Sequence, residues 1–259
     1  AGNLTGTVAT ATQNSITTAT GLTTVGAANT LTTVAGIPFY QGDSGSIYTH
    51  DVSGTDDTAT NNTAFGLNAM DAITTGDVNT AFGNGAMGAN TTGGSNTAVG
   101  HNALKDNTTG ASNTAIGRES LDNNTTADNN TAVGHTSLFT NTTGVDNTAV
   151  GMEALYLNTT GANNVAIGKA ALRANTTAND NTAIGEQSLK ANTTGAENVA
   201  VGQNALQANT DANYNTAIGR SALYANTTGA SNTAVGREAL GANTTGTRNL
   251  AIGYQAYDA

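Results

Sequence analysis

The residues able to do chemistry are few and far apart. The chain has three histidines. His101 and His135 stand two repeats apart in the same place of a 17-residue unit. If the units stack, about 9.5 Å separates them, too far for one metal ion, and Arg118 falls between. They are expected to decorate a surface. His50 lies near Asp51, Asp56 and Asp57, a cation candidate whose spacing lacks the pattern of a calcium loop. The glycine spacings that mimic a phosphate loop lack the Lys-Ser/Thr that must follow. Serines find no histidine partner at any matching position of the unit. Asp and Glu are scattered, so paired carboxylates for cleaving a glycan are not expected. Phe139 and Tyr156 occupy the same place in adjacent units. Two stacked rings there would make either a sugar platform or a local packing ladder. The expectation is a protein with no catalytic residues, no metal and no cofactor.

The element that positions these residues is the repeat. A glycine recurs at Gly66, Gly83, Gly100 and every 17 residues up to Gly253. The unit reads N-T-A-V-G-x-x-A-L-x-x-N-T-T-G-A-x from Asn62, with its positions called slots one to seventeen below. Eleven full copies end at Arg248, and Asn249–Ala259 begin a twelfth. Such strict periodicity means units that stack and cannot fold alone. Seventeen residues cannot hold a helical hairpin, and Gly and Thr are poor helix formers. "NTAVG" and "NTTG" read as short strands closed by turn residues. The predicted fold is all-β: a parallel β-roll or β-solenoid of twelve 17-residue rungs, about 50–55 Å long.

Slot four is always apolar, from Phe65 to Ile252. Slot nine is Leu or Met, with Tyr257 in the last copy. Strand side chains alternate, so slots two and four share a face, which the pattern assigns to the roll interior. Slot three is then expected to point outward. It is alanine throughout: Ala64, Ala81, Ala98, Ala115, Ala132, Ala149, Ala166, Ala183, Ala200, Ala217, Ala234 and Ala251. A stripe of small side chains that never varies predicts a subunit interface. A roll with so few aliphatic side chains per rung also gains from burial against further copies of itself. Asparagines at slots one and twelve read as turn and ladder residues. The nine "NTT" sequons read as the same turn chemistry. Slots six, seven, ten, sixteen and seventeen hold nearly all the charge and are expected to face solvent.

Residues 1–37 are a Thr/Ala/Gly-rich alternation predicted to form a β-rich shaft. Residues 38–61 gather Pro38, Phe39, Tyr40, Tyr48 and His50 and are predicted to cap the first rung. The chain of 259 residues lacks cysteine and carries a net charge of −10. It has no basic cluster, so nucleic acid is not an expected partner. It has no long apolar run, so membrane insertion is not expected. The opening "AGNLTGTVAT" does not read as a signal peptide.

The array "NTAVGxxALxxNTTG" resembles repeats of bacteriophage tail fibres and related bacterial surface fibres. More loosely, it is similar to the head repeats of trimeric autotransporter adhesins, which form trimeric left-handed parallel β-rolls on a shorter unit. "NVAIG" at Asn164–Gly168 matches that core best. "GTVATATQNSITT" also resembles segments of phage fibre shafts. The resemblance implies a homotrimer, with Val165 and Ile167 pointing into the roll and Ala166 toward the trimer axis. It implies a structural or adhesive fibre on a virion or bacterial cell surface, hence extracellular, contributing to binding of a host glycan or protein. The alternative is an ice-binding solenoid, favoured by Thr columns at slots thirteen and fourteen. Adjacent threonines in a strand face opposite ways, which counts against a flat Thr array from those two slots.

Overall fold

A computed structural model describes residues 58–257 throughout and, before them, only short strands. Those are β1 (Thr33–Val34), β2 (Ile37–Pro38), β3 (Tyr40–Gln41) and β4 (Ile47–Tyr48). The rest of the expected shaft at 1–37 and cap at 38–61 lies outside the described residues.

Each unit then contributes one three-residue strand at slots two to four. The series runs from β5 (Thr63–Phe65) through β11 (Val165–Ile167) and β12 (Thr182–Ile184) to β16 (Leu250–Ile252). Strands β5 to β16 stack in parallel, one above the next, as a β-solenoid. The described residues contain no helix. Register is in step with the repeat: Ala149 faces Ala166, which faces Ala183. Each slot therefore becomes a column along the rod. At the first rung, β4 pairs in parallel with β5, Tyr48 opposite Ala64, and the Tyr48 side chain is fully buried. Strand β3 continues the sheet antiparallel to β4.

The core corrects the expected alternation. Slot three points inward: Ala98, Ala115, Ala132, Ala149 and Ala166 are all 0% exposed within the single chain. They pack with the alanines or serines of slot eight and the Met or Leu of slot nine, such as Ala171 and Leu172. Slots two and four point out: Val165 is half-buried and Ile167 exposed. The alanine column from Ala64 to Ala251 is therefore the lining of a narrow roll and is out of reach of a partner subunit. The expected orientation of Val165, Ala166 and Ile167 is reversed for the same reason. A 17-residue rung encloses too little space for a β-branched side chain on the strand and a leucine opposite it. Leucine fills the middle, and alanine is what remains compatible across from it.

Two asparagine ladders complete the interior. Each slot-one backbone N–H donates to the side-chain oxygen one rung earlier, as Asn164 N to Asn147 Oδ1 at 3.0 Å. Each slot-one side-chain amide then donates across its rung to the slot-fifteen carbonyl, as Asn147 to Gly161 at 2.9 Å. The slot-twelve amides do likewise: Asn158 donates to Asn141 Oδ1 and to Gly161 O. Buried polar groups must be satisfied, and here one carbonyl serves both ladders. Ile73 replaces the slot-twelve asparagine in the first copy and is fully buried.

Turns carry an unusual load of left-handed backbone. Slots seven, nine and seventeen have positive φ in almost every copy without glycine, as at Ala170, Leu172 and Asp180. Such conformations are costly for a bulky residue. The Leu172 N–H bond to Ser188 O at 2.9 Å and burial of the side chain offset that cost. At slot five only glycine fits. Gly168 has φ +131, and a Cβ there would lie 2.6 Å from the carbonyl carbon of Gly185.

Candidate functional site

Solvent-facing columns follow from the same register. His101 and His135 are both exposed at slot six, with Arg118 exposed between them. Arg118 is paired with Glu119 at 2.9 Å. Among the described residues no group of three or more His, Cys, Asp or Glu is placed to hold a metal ion. His50, Asp51, Asp56 and Asp57 lie outside the described residues. The slot-twelve asparagines of the "NTT" sequons are buried, as Asn141 and Asn158 are, except for the half-buried Asn243 near the end of the rod.

Phe139 and Tyr156 do come together. Their rings stack with centroids 5.4 Å apart and planes 8° from parallel. The Arg173 guanidinium, one rung further, lies 5.1 Å from the Tyr156 centroid. It is held there by Glu153, 2.7 Å from its Nε. Both faces of Tyr156 are thus covered by the chain's own side chains. This is the geometry of a packing ladder rather than of an open platform for a sugar ring.

Asp122 fills the same slot one rung before Phe139. It is 6% exposed, and its Oδ1 has no hydrogen-bond partner. Burial pushes its carboxyl up from 3.8 to about 6; Lys105 pulls the other way, and Asp106 and Glu119 add to the rise. A raised folded-state value means that ionisation is penalised. The increment is fully present below the ordinary value of 3.8 and is lost as pH rises through about 6. Asp122→Asn is therefore expected to stabilise the protein at pH 7–8 by about 1 kcal/mol after allowance for solvent screening. The gain should vanish near pH 4. Thermal melts of the two proteins at both pH values check this.

The most extensive exposed feature is one that the sequence reading assigned to the interior. Threonine, or Val165, Val199 and Leu250, stands outward at slot two. A β-branched or aromatic residue stands outward at slot four: Phe82 is 55% exposed, Ile116 40% and Ile218 41%. Phe65 and Phe82 stack on this face with centroids 4.9 Å apart. The two columns run side by side along all twelve rungs. The signal was present in the repeat. The least variable small residue marks the most confined position, and that was slot three.

These two uncharged columns have charged borders. Slot six, two residues beyond slot four, carries Arg118, Lys169, Arg220 and Arg237 against one acid, Glu186. Slot seventeen, two residues before slot two, carries Asp146, Asp180 and Glu197 against one base, Arg248. Slot sixteen adds Asp77 and Asp128. Both slots six and seventeen are exposed in every copy.

No family model, no curated protein and no solved structure matches the chain.

Proposed function

We propose that the chain is the rigid rod of a homo-oligomeric structural fibre. The observation that carries this reading is the outward slot-four column of Phe, Val and Ile, flanked by the mostly threonine slot-two column, which runs the whole length of an unbroken parallel stack. The largest exposed apolar patch of a soluble protein is often functional, and a rod that packs against copies of itself covers this one. The resemblance of the repeat to phage tail fibres and surface adhesins supports three copies. It also supports an extracellular place on a virion or bacterial surface. There the rod displays or spaces an element that binds a host glycan or protein, without turnover of its own. Sedimentation of the full chain is expected to give three times the 25.7 kDa of one chain. A single-chain mass at all concentrations would sink the reading.

One observation favours a second reading, an ice-binding solenoid. Slot thirteen is not free for it: each Thr hydroxyl donates to the carbonyl one rung on, as Thr142 to Thr159 O at 3.0 Å. Slots two and four, however, form a regular outward Thr/Val-Ile array on a parallel sheet whose register follows the repeat. Thermal hysteresis in a solution of monomer would select this reading over the fibre.

A further inference from the structure

We infer that rungs nine to eleven hold a subsite for the sugar acid of an acidic glycan, with its ring between Tyr214 and Arg248 and its carboxylate on the Ala230 backbone N–H. The inference rests on the display reading above and places the glycan-binding element on the rod itself. Three observations carry it.

The first is a binding point that the chain fills elsewhere with its own side chains. The slot-sixteen backbone N–H lies within reach of the slot-sixteen side chain one rung on. Where that residue is Asp or Asn, its oxygen accepts. Ala111 donates to Asp128 Oδ1 at 2.7 Å, Ala162 to Asn179 Oδ1 at 2.7 Å and Ala196 to Asn213 Oδ1 at 2.6 Å. Asp77 accepts from both the N–H of Thr60, at 2.7 Å, and its hydroxyl, at 3.0 Å. A carboxylate therefore fits this position and gains charge-assisted hydrogen bonds there. After Ala230 the next slot-sixteen residue is Thr247, and the Ala230 N–H has no acceptor among the described residues.

The second is charge. Beside Thr247 stands Arg248, the one base of slot seventeen. It is exposed and has no ion-pair partner among the described residues. Its own backbone N–H donates to Ala230 O at 3.1 Å, so the cation springs from the rung directly above the free donor.

The third is shape. Tyr214, Ser231 and Arg248 are successive slot-seventeen residues, held in register by Ser231 N to Asn213 O and Arg248 N to Ala230 O. Two long side chains about 9.5 Å apart thus stand on either side of the small Ser231 and Ala230, leaving room for one pyranose ring. Tyr214 is 58% exposed. Unlike Tyr156, it meets no other ring and no guanidinium among the described residues, so its apolar face is open to the C–H face of a sugar. Glu197 and Asp211 lie at the Tyr214 end. They turn a ligand carboxylate toward Arg248 and leave Asp211 to accept from ring hydroxyls. An acidic peptide shares the carboxylate contact but leaves the tyrosine face and the Asp211 acceptor unused.

The test uses the full chain and saturation-transfer NMR with galacturonate, N-acetylneuraminate, galactose and hexaglutamate. At least one of the two sugar acids is expected to bind, and galactose about tenfold or more weakly by comparison. Thr247→Asp supplies the missing carboxylate from the chain itself, in the arrangement of Asp128 and Ala111. It should close the subsite and cut binding about tenfold or more, as should Arg248→Met. Tyr214→Ala should weaken binding as well, and Arg220→Met, at slot six, should not. Circular dichroism of all four variants should match the parent protein. Failure of both sugar acids to bind, or binding that survives Thr247→Asp, overturns the inference. Binding of hexaglutamate alone overturns it in favour of a peptide. Sedimentation of the same samples reads the fibre separately: an oligomer that binds no sugar acid keeps the fibre and loses the subsite, and a monomer that binds one does the reverse.

Discussion

Ala166→Phe combined with Ala183→Phe is expected to break the solenoid, and not merely an assembly of intact rods. Both side chains are fully buried inside one chain, on adjacent strands. The interior they enter is already filled by Ala171 and Leu172 at 0% exposure. A ring cannot be accommodated by a rotamer change, because the next rung lies one hydrogen bond away on either side. Overpacking of this kind costs about 3 kcal/mol or more per site. Stability in a stacked repeat is carried by nearest-neighbour contacts, so the damage should localise. Melting is expected to split into separate transitions for the rungs before and after the insertion, with new protease cleavage between them. Thr177→Lys, between the two sites in sequence but exposed and away from the slot-two and slot-four columns, should leave the melting curve nearly unchanged. A double phenylalanine variant that melts like the parent protein would mean that the alanine column has open space beside it.

Asn147→Ala should be comparably severe, for a different reason. The side chain accepts from the Asn164 backbone N–H at 3.0 Å and donates to Gly161 O at 2.9 Å. Its removal leaves a buried donor bereft of its acceptor. It also leaves the shared carbonyl with only the slot-twelve amide of Asn158, 2.9 Å away. An unsatisfied buried group costs about 1–3 kcal/mol, so a loss of about 2–4 kcal/mol is expected. Asn147→Asp refines the argument. A carboxylate still accepts from Asn164 but has no N–H for Gly161, and it buries a charge. Its folded-state pKa should lie above the ordinary value, so the variant should be least stable at neutral pH and recover as pH falls and the acid gains a proton. Melts of both variants across pH 4–8 check the pair. A variant Asp as stable as Asn at pH 8 would show that water reaches this ladder.

Much of the architecture was legible because the repeat is strict. A fixed interval of seventeen residues forces every copy into the same conformation, and the short strand at slots two to four followed from Thr, Val and Ile beside glycine. The Asn columns at slots one and twelve signalled ladders, as found at Asn147 and Asn158. The leucines at slot nine could not have been placed as they are. Nothing local marks Leu172 as a residue with positive φ, because the cost of that conformation is met by contacts with other rungs. The Phe139–Tyr156 pair was legible as a contact, since equal slots stack. That its open face is closed by Arg173, held by Glu153, depends on two side chains meeting from different slots.

The second strand expected at "NTTG" is absent and those residues form bends, but taken alone the sequence determined the period, the strand at slots two to four, the parallel stacking and the identity of each column. Those depend on chain-local propensity and on translation by one unit, both of which can be read off a line of text. Only the tertiary structure decided which face of the strand is inside. Alternation states that slots three and four are opposed; it is silent on which one points in. The choice was made by volume. With leucine and two asparagines already in each narrow rung, alanine fits within the roll and valine or isoleucine does not, and so the apolar columns were left on the outside.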